Sequence, residues 1–250
     1  MSPKKINNEF YDTLHEKWVE AEDHPIALLR AENRTRNPWI HKNIPANSSI
    51  LDIGCGGGFL TNYLAQNGHS VHGIDLSAQS LEVAKKTDST NSVTYLQANA
   101  TSLPFADNSF DVVSAMDILE HIENPESLIS EASRVLKPNG LFFFHTFNRN
   151  FFSYLLAIKG IGWFVKNSPP DLHVYPLFIK PKELQDLLTK HNLTIHTQLG
   201  LKPDIFTFSF WKMIFTRTVS EKFSFTFTPS LTTGYLGYAK KGEIDGRNKT

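Results

Sequence analysis

A glycine-rich turn between a β-branched run and a helical pattern restricts the fold of this chain most strongly. It reads Leu51-Asp52-Ile53-Gly54-Cys55-Gly56-Gly57-Gly58-Phe59. Glycine adopts backbone conformations that are closed to other residues and lets a ligand approach the main chain. The dinucleotide fingerprint G-x-G-x-x-G fails here, because its third glycine would fall on Phe59 or Thr61. The turn therefore predicts a strand-to-helix connection beside a ligand. That ligand is expected to lack a pyrophosphate, because the negative charge of a pyrophosphate would be unfavourable near Asp52.

A second acid ends the next apolar run, Val71-His72-Gly73-Ile74-Asp75. An acid at that strand end can accept two hydrogen bonds from a ribose diol. Asp52 and Asp75 beside a glycine turn therefore suit a nucleoside that carries a cationic group. The alternative is a tight connection without a ligand. Because the acids and the three glycines stand in register within a strand-helix-strand pattern, the sequence favours nucleoside binding.

Short apolar runs alternate with helical patterns over the first 150 residues. Such alternation predicts a parallel sheet covered on both faces, with right-handed crossovers and with ligands at the carboxyl ends of the strands. We predict an α/β fold with a doubly wound, mostly parallel, seven-stranded sheet. The predicted strands are Ser49–Gly54, Ser70–Asp75, Val93–Asn99, Phe110–Met116, Gly140–Phe147, Thr194–Leu201 and Thr232–Lys240, and the predicted helices between them are Phe59–Asn67, Ser77–Lys86, Pro125–Leu136 and Lys180–His191.

The length of 250 residues suits a single domain, which we place over residues 1–250. Residues 206–228 are rich in Phe and Thr and have no assigned structure at this point. The predicted parts are N-terminal helices over 8–41, a core over 49–148, an apolar insertion over 149–178, and a C-terminal helix with closing strands over 179–241.

Composition excludes several classes of function. The 25 Lys and Arg balance the 25 Asp and Glu, and a neutral chain without a basic arm is not expected to bind nucleic acid. The single cysteine, Cys55, excludes an internal disulfide framework. The acidic N-terminal region lacks the apolar stretch of a secretory signal, and no run reaches the ~18 apolar residues of a membrane span. We expect a cytoplasmic protein.

Two acids and a histidine follow the fourth strand. Asp117, Glu120 and His121 stand at positions i, i+3 and i+4, which share one face of a helical turn. Such a set can bind a divalent cation, with oxygen ligands favouring Mg²⁺ over Zn²⁺ or Mn²⁺. Alternatively, His121 removes a proton from the acceptor directly. A third interpretation is that the residues only close a loop and cap a helix.

The glycine turn and the acids resemble those of class I S-adenosylmethionine-dependent methyltransferases. The resemblance implies that S-adenosylmethionine is the co-substrate, that the glycine loop packs near its methionine part and that Asp75 holds the ribose. Asn99, within Gln97-Ala98-Asn99-Ala100, occupies the position that contacts the adenine. The predicted cofactor residues are Arg36, Asp52, Gly54, Cys55, Gly56, Gly58, Asp75, Leu76, Asn99, Ala100 and Met116.

Three further segments resemble the ubiquinone-biosynthesis O-methyltransferases more closely: Met116 to His121, Thr146-Phe147-Asn148-Arg149-Asn150, and Phe178-Ile179-Lys180-Pro181-Lys182-Glu183-Leu184. The resemblance implies metal ligation by Asp117, Glu120 and His121, with Asp117 where the family usually has Glu. It implies catalysis by His121 and Glu120, and a cofactor-binding arginine at Arg36 or, alternatively, Arg34.

The implied reaction is methylation of a phenolic hydroxyl on a polyprenyl catechol or demethylubiquinol, and Mg²⁺ is an optional metal. The insertion combines aromatic residues with Lys159 and Lys166, which is typical of a helix in a membrane interface. We therefore expect a lipophilic substrate and a peripheral membrane contact through residues 151–168. A lid over the substrate pocket is the alternative for this segment. Two other functions remain open, methylation of another small phenol or a carboxylate, and a non-catalytic S-adenosylmethionine-binding partner in a biosynthetic complex.

Overall fold

One mixed sheet organises the chain within residues 8–243, the part that the computed structural model describes. The predicted domain limits at residues 1–7 and 244–250 lie outside the described residues. Over the described range the sheet has eight strands. They are β1 (Ser49–Ile53), β2 (Ser70–Asp75), β3 (Thr94–Gln97), β4 (Phe110–Met116), β5 (Leu136–Phe147), β6 (Leu193–Pro203), β7 (Phe225–Thr228) and β8 (Gly234–Lys241).

The strand order is β3-β2-β1-β4-β5-β8-β6-β7. The first five strands in sequence pair in parallel, whereas β8, β6 and β7 pair antiparallel to their neighbours. The chain runs outward from β1 to β3 and then places β4 on the other side of β1. Ligands of doubly wound sheets bind at this reversal, outside the carboxyl ends of the strands. The predicted fold class is confirmed.

The additional strand, β7, lies in the stretch that the sequence left unassigned. Phe223, Phe225 and Phe227 alternate there with polar residues, which is the period of a strand. β7 pairs with the end of β6, from Pro203 opposite Phe225 to Gly200 opposite Thr228. A strand of four residues is too short for its alternation to be distinguished from a loop, so the sequence predicted seven strands.

The helices cover both faces of the sheet and its carboxyl edge. Short 3₁₀ turns occupy Asn8–Thr13, Leu119–His121 and Tyr175–Leu177, and a π-helical segment, Tyr154–Gly160, joins two short α-helices of the insertion. The α-helices are α1 (Lys17–Glu20), α2 (Ile26–Lys42), α3 (Phe59–Gln66), α4 (Ala78–Thr87), α5 (Pro125–Val135), α6 (Phe151–Ser153), α7 (Ile161–Phe164), α8 (Pro181–Lys190) and α9 (Phe208–Thr216).

Neighbouring side chains of β4 enter two different cores. Val113 packs with residues of α5 and α8, whereas Val112 packs with Ile40 of α2 and Leu64 of α3. Both valines are fully buried, and each such burial stabilises the fold by about 1.5–3 kcal/mol. This two-sided burial explains why the strand is a continuous apolar run rather than an alternating one.

A third core joins the insertion and residues 206–228 to α2. Ala31 of α2, Val165, Met213 of α9 and Phe223 are buried together there. Arg34 Nη2 also donates to the carbonyl oxygen of Phe223 at 2.9 Å. No helix among residues 8–243 combines the length and the apolar character that crossing a bilayer requires.

Candidate active site

The glycine turn is held against the end of β2. The backbone N–H of Cys55 donates to the carbonyl oxygen of Ile74 at 3.0 Å, and that of Gly56 donates to Asp75 Oδ2 at 2.9 Å. Gly56 has a φ of +52°, and a Cβ atom there would lie 2.6 Å from the ring of Trp18. Only glycine fits, because the backbone is left-handed and an indole covers it.

A cavity of about 520 Å³, here called the turn cavity, opens beside the glycine turn. Its size suits a small-molecule ligand. Of the eleven predicted cofactor residues, Gly58 does not line it. Gly58 is instead the N-cap residue of α3, with a φ of +84°, and a Cβ atom there would lie 2.9 Å from Ala84 Cβ and Tyr95 Oη. The other ten line the cavity: Arg36, Asp52, Gly54, Cys55, Gly56, Asp75, Leu76, Asn99, Ala100 and Met116.

Two acids give the turn cavity its negative end. Asp52 stands opposite Ser114 of β4, and Ser114 Oγ donates to Asp52 Oδ1 at 2.6 Å. Burial raises the pKa of Asp52 to about 7, although the hydrogen bond from Ser114 acts to lower it. Burial also raises the pKa of Asp75, while the backbone N–H of Ser77, 2.9 Å from Oδ1, opposes the rise. Asp75 Oδ2 accepts from the Gly56 N–H and Oδ1 from the Ser77 N–H, and the carboxylate lone pairs that remain can accept from a diol.

The part of the turn cavity beyond the end of β3 is more exposed. Asn99 Oδ1 accepts from both the N–H and the hydroxyl of Thr101, each at 2.9 Å. Its acceptor capacity is thereby filled, and its amide N–H groups are the part that an adenine ring could use. Gln97 Nε2 donates to the carbonyl oxygen of Leu76 at 2.7 Å and fixes the loop that follows β2.

Of the two candidate arginines, the structure places Arg36 at the turn cavity. Arg36 is buried and lines the cavity, and its Nε has no hydrogen-bond partner within residues 8–243. Arg34 is exposed and bonds the carbonyl oxygen of Phe223 instead. An unpartnered buried N–H is costly, so Arg36 has a donor available for a ligand carboxylate.

A second cavity of about 610 Å³, here called the apolar cavity, lies beside the first. Its walls come from α2, from the insertion and from residues 201–234, and they include Phe152, Leu156, Phe164, Phe210, Met213 and Phe223. Tyr11, Leu29, Asp117 and His121 line both cavities. The two cavities therefore meet at the carboxyl end of β4.

Asp117 lies at this junction with its carboxylate ion-paired to Arg36 and in contact with His145 Nδ1. Burial alone would raise the pKa of Asp117, but the charges of Arg36 and His145 lower it far below its ordinary value. Glu32 lies 3.7 Å from Arg36 Nη1 and completes the cluster. Sequence analysis did not single out His145, because it stands inside the apolar strand β5.

Glu120 and His121 gather with a third residue, His173 of the insertion. One ligand atom from each lies within 4.8 Å of the others. Glu120 is fully buried; Thr146 Oγ1 donates to its Oε2 at 2.8 Å, and burial together with the charge of Asp117 raises the pKa of Glu120 to about 7. Burial lowers the pKa of His121 to about 3 and that of His173 to about 4, so both imidazoles are neutral.

The predicted metal trio is divided between two clusters. Within residues 8–243, Asp117 groups with Glu32 and His145, whereas Glu120 and His121 group with His173. The spacing argument assumed one helical turn, but Asp117 has a left-handed φ of +57° and precedes the 3₁₀ turn Leu119–His121. This arrangement does not fit one Mg²⁺ ion held by all three predicted residues. The sequence missed His173 because only the fold brings the insertion to β4.

Comparison with known proteins decides the family. Ubiquinone biosynthesis O-methyltransferase from Azoarcus sp. (strain BH72) is 39% identical over 200 residues, which are 77% of this chain and 84% of that protein. The protein of the same name from Thiobacillus denitrificans is 37% identical over 198 residues, with the same coverage. The chain belongs to the ubiquinone biosynthesis O-methyltransferase family. The domain family described as "Methyltransferase domain" matches residues 51–144.

This ubiquinone biosynthesis O-methyltransferase family member shares its fold with solved methyltransferases. A SAM-dependent methyltransferase structure from Methanosarcina mazei aligns with a TM-score of 0.58 and 24% identity, over 83% of this chain and 98% of that one. The chain is an S-adenosylmethionine-dependent methyltransferase, and S-adenosylmethionine is its co-substrate. The predicted family, enzyme class and co-substrate are confirmed. The contacts assigned to individual site residues stay predictions.

Proposed function

We propose that the chain methylates a phenolic hydroxyl of a polyprenyl catechol or demethylubiquinol intermediate in ubiquinone biosynthesis. The observation that carries this proposal is the meeting of the turn cavity and the apolar cavity at Asp117 and His121. A charged methyl donor fits the cavity with acids, and a lipophilic acceptor fits the cavity walled by aromatic and aliphatic side chains. The names of the similar proteins support the same reaction class.

The donor is proposed to lie along the turn cavity. Asp75 accepts bonds from the ribose hydroxyls, and Asn99 contacts the adenine. Arg36 Nε donates to the carboxylate of the methionine part. Met116 at the end of β4 then lies near the sulfonium, and Asp117 places a negative charge at the junction, where a cationic sulfur is favourable.

Methyl transfer needs the phenolic oxygen in line with the carbon–sulfur bond. The oxygen forms a bond to the methyl carbon while that carbon's bond to sulfur breaks, and the sulfonium leaves as a neutral thioether. His121 Nε2 takes the phenolic proton; burial opposes the imidazolium in the ligand-free site, and the Glu120 carboxylate, within 4.8 Å, and the charge of Asp117 compensate it. Positioning supplies most of the rate, up to about 7–11 kcal/mol for well-oriented reactants, and the base adds roughly 10²–10⁴-fold.

The test measures methyl transfer in detergent to a polyprenyl catechol and to a water-soluble catechol. We expect kcat/KM to be at least about tenfold higher for the polyprenyl acceptor, because burying about 60 Å² of apolar surface supplies that factor. Phe152→Ser changes the apolar cavity, and Phe151→Ser is its matched control, since Phe151 is exposed and does not line the cavity. Equal kcat/KM for both acceptors, or faster transfer to another phenol or a carboxylate, would contradict the proposal.

We propose further that the chain docks on a membrane surface beside the mouth of the apolar cavity. Phe206 and Phe208 are 91% and 85% exposed, and Phe215 and Trp211 of α9 are exposed as well. α9 packs on the insertion through Met213 and Val165, and the insertion carries more exposed apolar residues. Exposed aromatics with lysines nearby suit the headgroup region of a bilayer. The exposed residues of the insertion are Phe151, Phe152, Leu156 and Trp163.

Flotation with liposomes of anionic and neutral phospholipid tests this docking. The double variant Phe206→Ser/Phe208→Ser should leave stability nearly unchanged and reduce the floated fraction. Leu96→Ser is the matched control, because Leu96 is exposed on β3 at the other end of the sheet from β7. Flotation of the double variant equal to that of the unmodified chain would exclude α9 from the docking surface.

A further inference from the structure

We propose that Glu120, His121 and His173 bind a first-row transition-metal dication, with Asp117 outside the ligand set. The proposal replaces the predicted Mg²⁺ trio with a site of one carboxylate and two imidazoles. Its use in catalysis rests on the proposed function, whereas the binding of the metal does not.

The geometry of the three residues fits one ion. Their ligand atoms all lie within 4.8 Å of one another, and the His121 and His173 rings are 5.6 Å apart. Two ligands about 2.1 Å from a common ion are at most ~4.2 Å apart, so small side-chain shifts close the site. Glu120 supplies an independent sign of a ligand. It is fully buried, and its Oε1 has no hydrogen-bond partner among the described residues, which is costly for a carboxylate oxygen.

The two histidines are oriented for ligation through Nε2. His121 Nδ1 lies 3.3 Å from Asn8 Oδ1, and His173 Nδ1 lies 3.4 Å from the carbonyl oxygen of Ala157. Both partners are acceptors, so each Nδ1 carries the proton and each Nε2 keeps a lone pair. The Nε2 lone pair of His121 faces the Tyr11 hydroxyl at 3.4 Å, and an ion would take the place of that contact. Histidines that bind metals are generally fixed in this way, by a bond from the other ring nitrogen to an oxygen.

Asp117 is engaged elsewhere. Its carboxylate pairs with the buried guanidinium of Arg36 and contacts His145. Moving it to a metal would leave Arg36 buried without its partner, which typically costs about 3–5 kcal/mol. The second group of possible ligands consists of Glu32, Asp117 and His145. The positive charge beside its two carboxylates is already supplied by the Arg36 guanidinium.

The donor set selects the class of metal. Mg²⁺ prefers oxygen ligands, whereas imidazole nitrogens favour Zn²⁺, Co²⁺ and related ions. His121 also lines both cavities, so a phenolic oxygen could occupy a further position on the ion and have its pKa lowered. The ion would use the Nε2 lone pair that otherwise takes the proton, so metal and base are alternative states of one site.

The test titrates the full chain, freed of metal by a chelator, with Co²⁺ and follows its visible absorption. The unmodified chain should bind Co²⁺ saturably, and millimolar Mg²⁺ should not displace it. His173→Ala should weaken binding by more than about 100-fold, because loss of an outer-shell partner alone costs roughly 10–100-fold. His196→Ala, which removes an exposed imidazole outside the cluster, and Asp117→Asn should both bind Co²⁺ as the unmodified chain does.

Three outcomes would overturn the proposal. They are unchanged Co²⁺ affinity in His173→Ala, loss of Co²⁺ binding in an Asp117→Asn variant that still unfolds cooperatively on heating, and displacement of Co²⁺ by Mg²⁺. A measurement that needs no variant guards against misfolding, since Zn²⁺ should raise the Tm of the unmodified chain and Mg²⁺ should not; equal shifts count against the site. Normal metal binding without transfer to a polyprenyl catechol would contradict only the proposed function.

Discussion

The buried guanidinium of Arg36 and the half-buried carboxylate of Asp117 form an ion pair where the turn cavity meets the apolar cavity. The pair joins α2 to the end of β4, and His145 of β5 contacts the same carboxylate. Arg36 and His145 are buried and the Asp117 side chain is only 17% exposed, so each of the three groups depends on the others for charge compensation. The same ion pair therefore contributes to the stability of the fold and holds the junction of the two cavities in shape.

Replacing Arg36 by Met should strongly destabilise the protein. The change leaves the half-buried Asp117 carboxylate without its main partner; breaking a buried pair costs about 3–5 kcal/mol, and we expect a loss toward the lower end of that range because the Asp117 side chain is 17% exposed. Urea denaturation of Arg36→Met would measure the free energy of unfolding. Arg34→Met is the matched control, since Arg34 is exposed, and it should lose no more than about 1 kcal/mol. Equal losses in the two variants would show that Arg36 is not a buried charge partner.

Asp75→Asn should weaken S-adenosylmethionine binding. The amide cannot accept through both side-chain atoms, so a bond to the ribose or the contact with the Gly56 N–H is lost. We expect at least a tenfold rise in Kd by calorimetry, since a hydrogen bond to a charged group is worth about 1.5–3 kcal/mol. Glu82→Gln on the exposed face of α4 should leave the Kd unchanged. Unaltered affinity in Asp75→Asn would remove Asp75 from the cofactor site.

Gly58→Ala and Gly68→Ala separate backbone strain from crowding. Both glycines have left-handed φ values, +84° and +85°, but a Cβ atom meets nothing within 4 Å at Gly68. Thermal unfolding should show a loss of about 1–2 kcal/mol for Gly68→Ala. Gly58→Ala should lose a further ~1–3 kcal/mol, because its Cβ atom would press on Ala84 and Tyr95. A smaller loss at Gly58 would contradict the close packing of α3 on α4.

His24 should make stability depend on pH in the acidic range. Burial, with a contribution from Lys17, lowers the pKa of His24 to about 4, and the N–H of Ile26 donates to its Nδ1 at 3.2 Å. The unfolded chain therefore binds more protons between pH ~6.5 and 4, so stability is lost as the pH falls through this window.

The variant His24→Asn keeps an acceptor for Ile26 and does not titrate. Urea denaturation at several pH values should show a smaller loss of unfolding free energy for His24→Asn than for the unmodified chain. His196→Asn, which replaces an exposed imidazole, should show the full loss. Parallel pH profiles for the unmodified chain and His24→Asn would be the contrary result.

The sequence predicted the elements whose signals are local. The glycine turn, the acid that ends β2 and the alternation of strands and helices each lie within a short stretch, and the rule for doubly wound sheets then places the turn and both acids at one edge. The family resemblance implied Arg36 or Arg34, and the structure separates the two because Arg36 is buried at the turn cavity whereas Arg34 is exposed.

What the sequence missed depends on distant residues. His173 and His145 lie in apolar surroundings, and nothing near them in sequence indicates that the fold brings both to the end of β4. Asp117 was grouped with Glu120 and His121 by helical spacing, but its left-handed backbone breaks that spacing. Phe210, Phe223 and Phe225 form part of the wall of the apolar cavity only through packing on α2 and the insertion.

Helix α2 has contacts on both sides of the junction. Arg36 borders the turn cavity, while Arg34 and Thr35 bond the carbonyl oxygens of Phe223 and Phe225 in the wall of the apolar cavity, at 2.9 and 3.2 Å. A ligand in one cavity that shifts α2 therefore changes the shape of the other cavity. Linkage then requires reciprocity: if the methyl donor tightens acceptor binding by some factor, the acceptor tightens donor binding by the same factor.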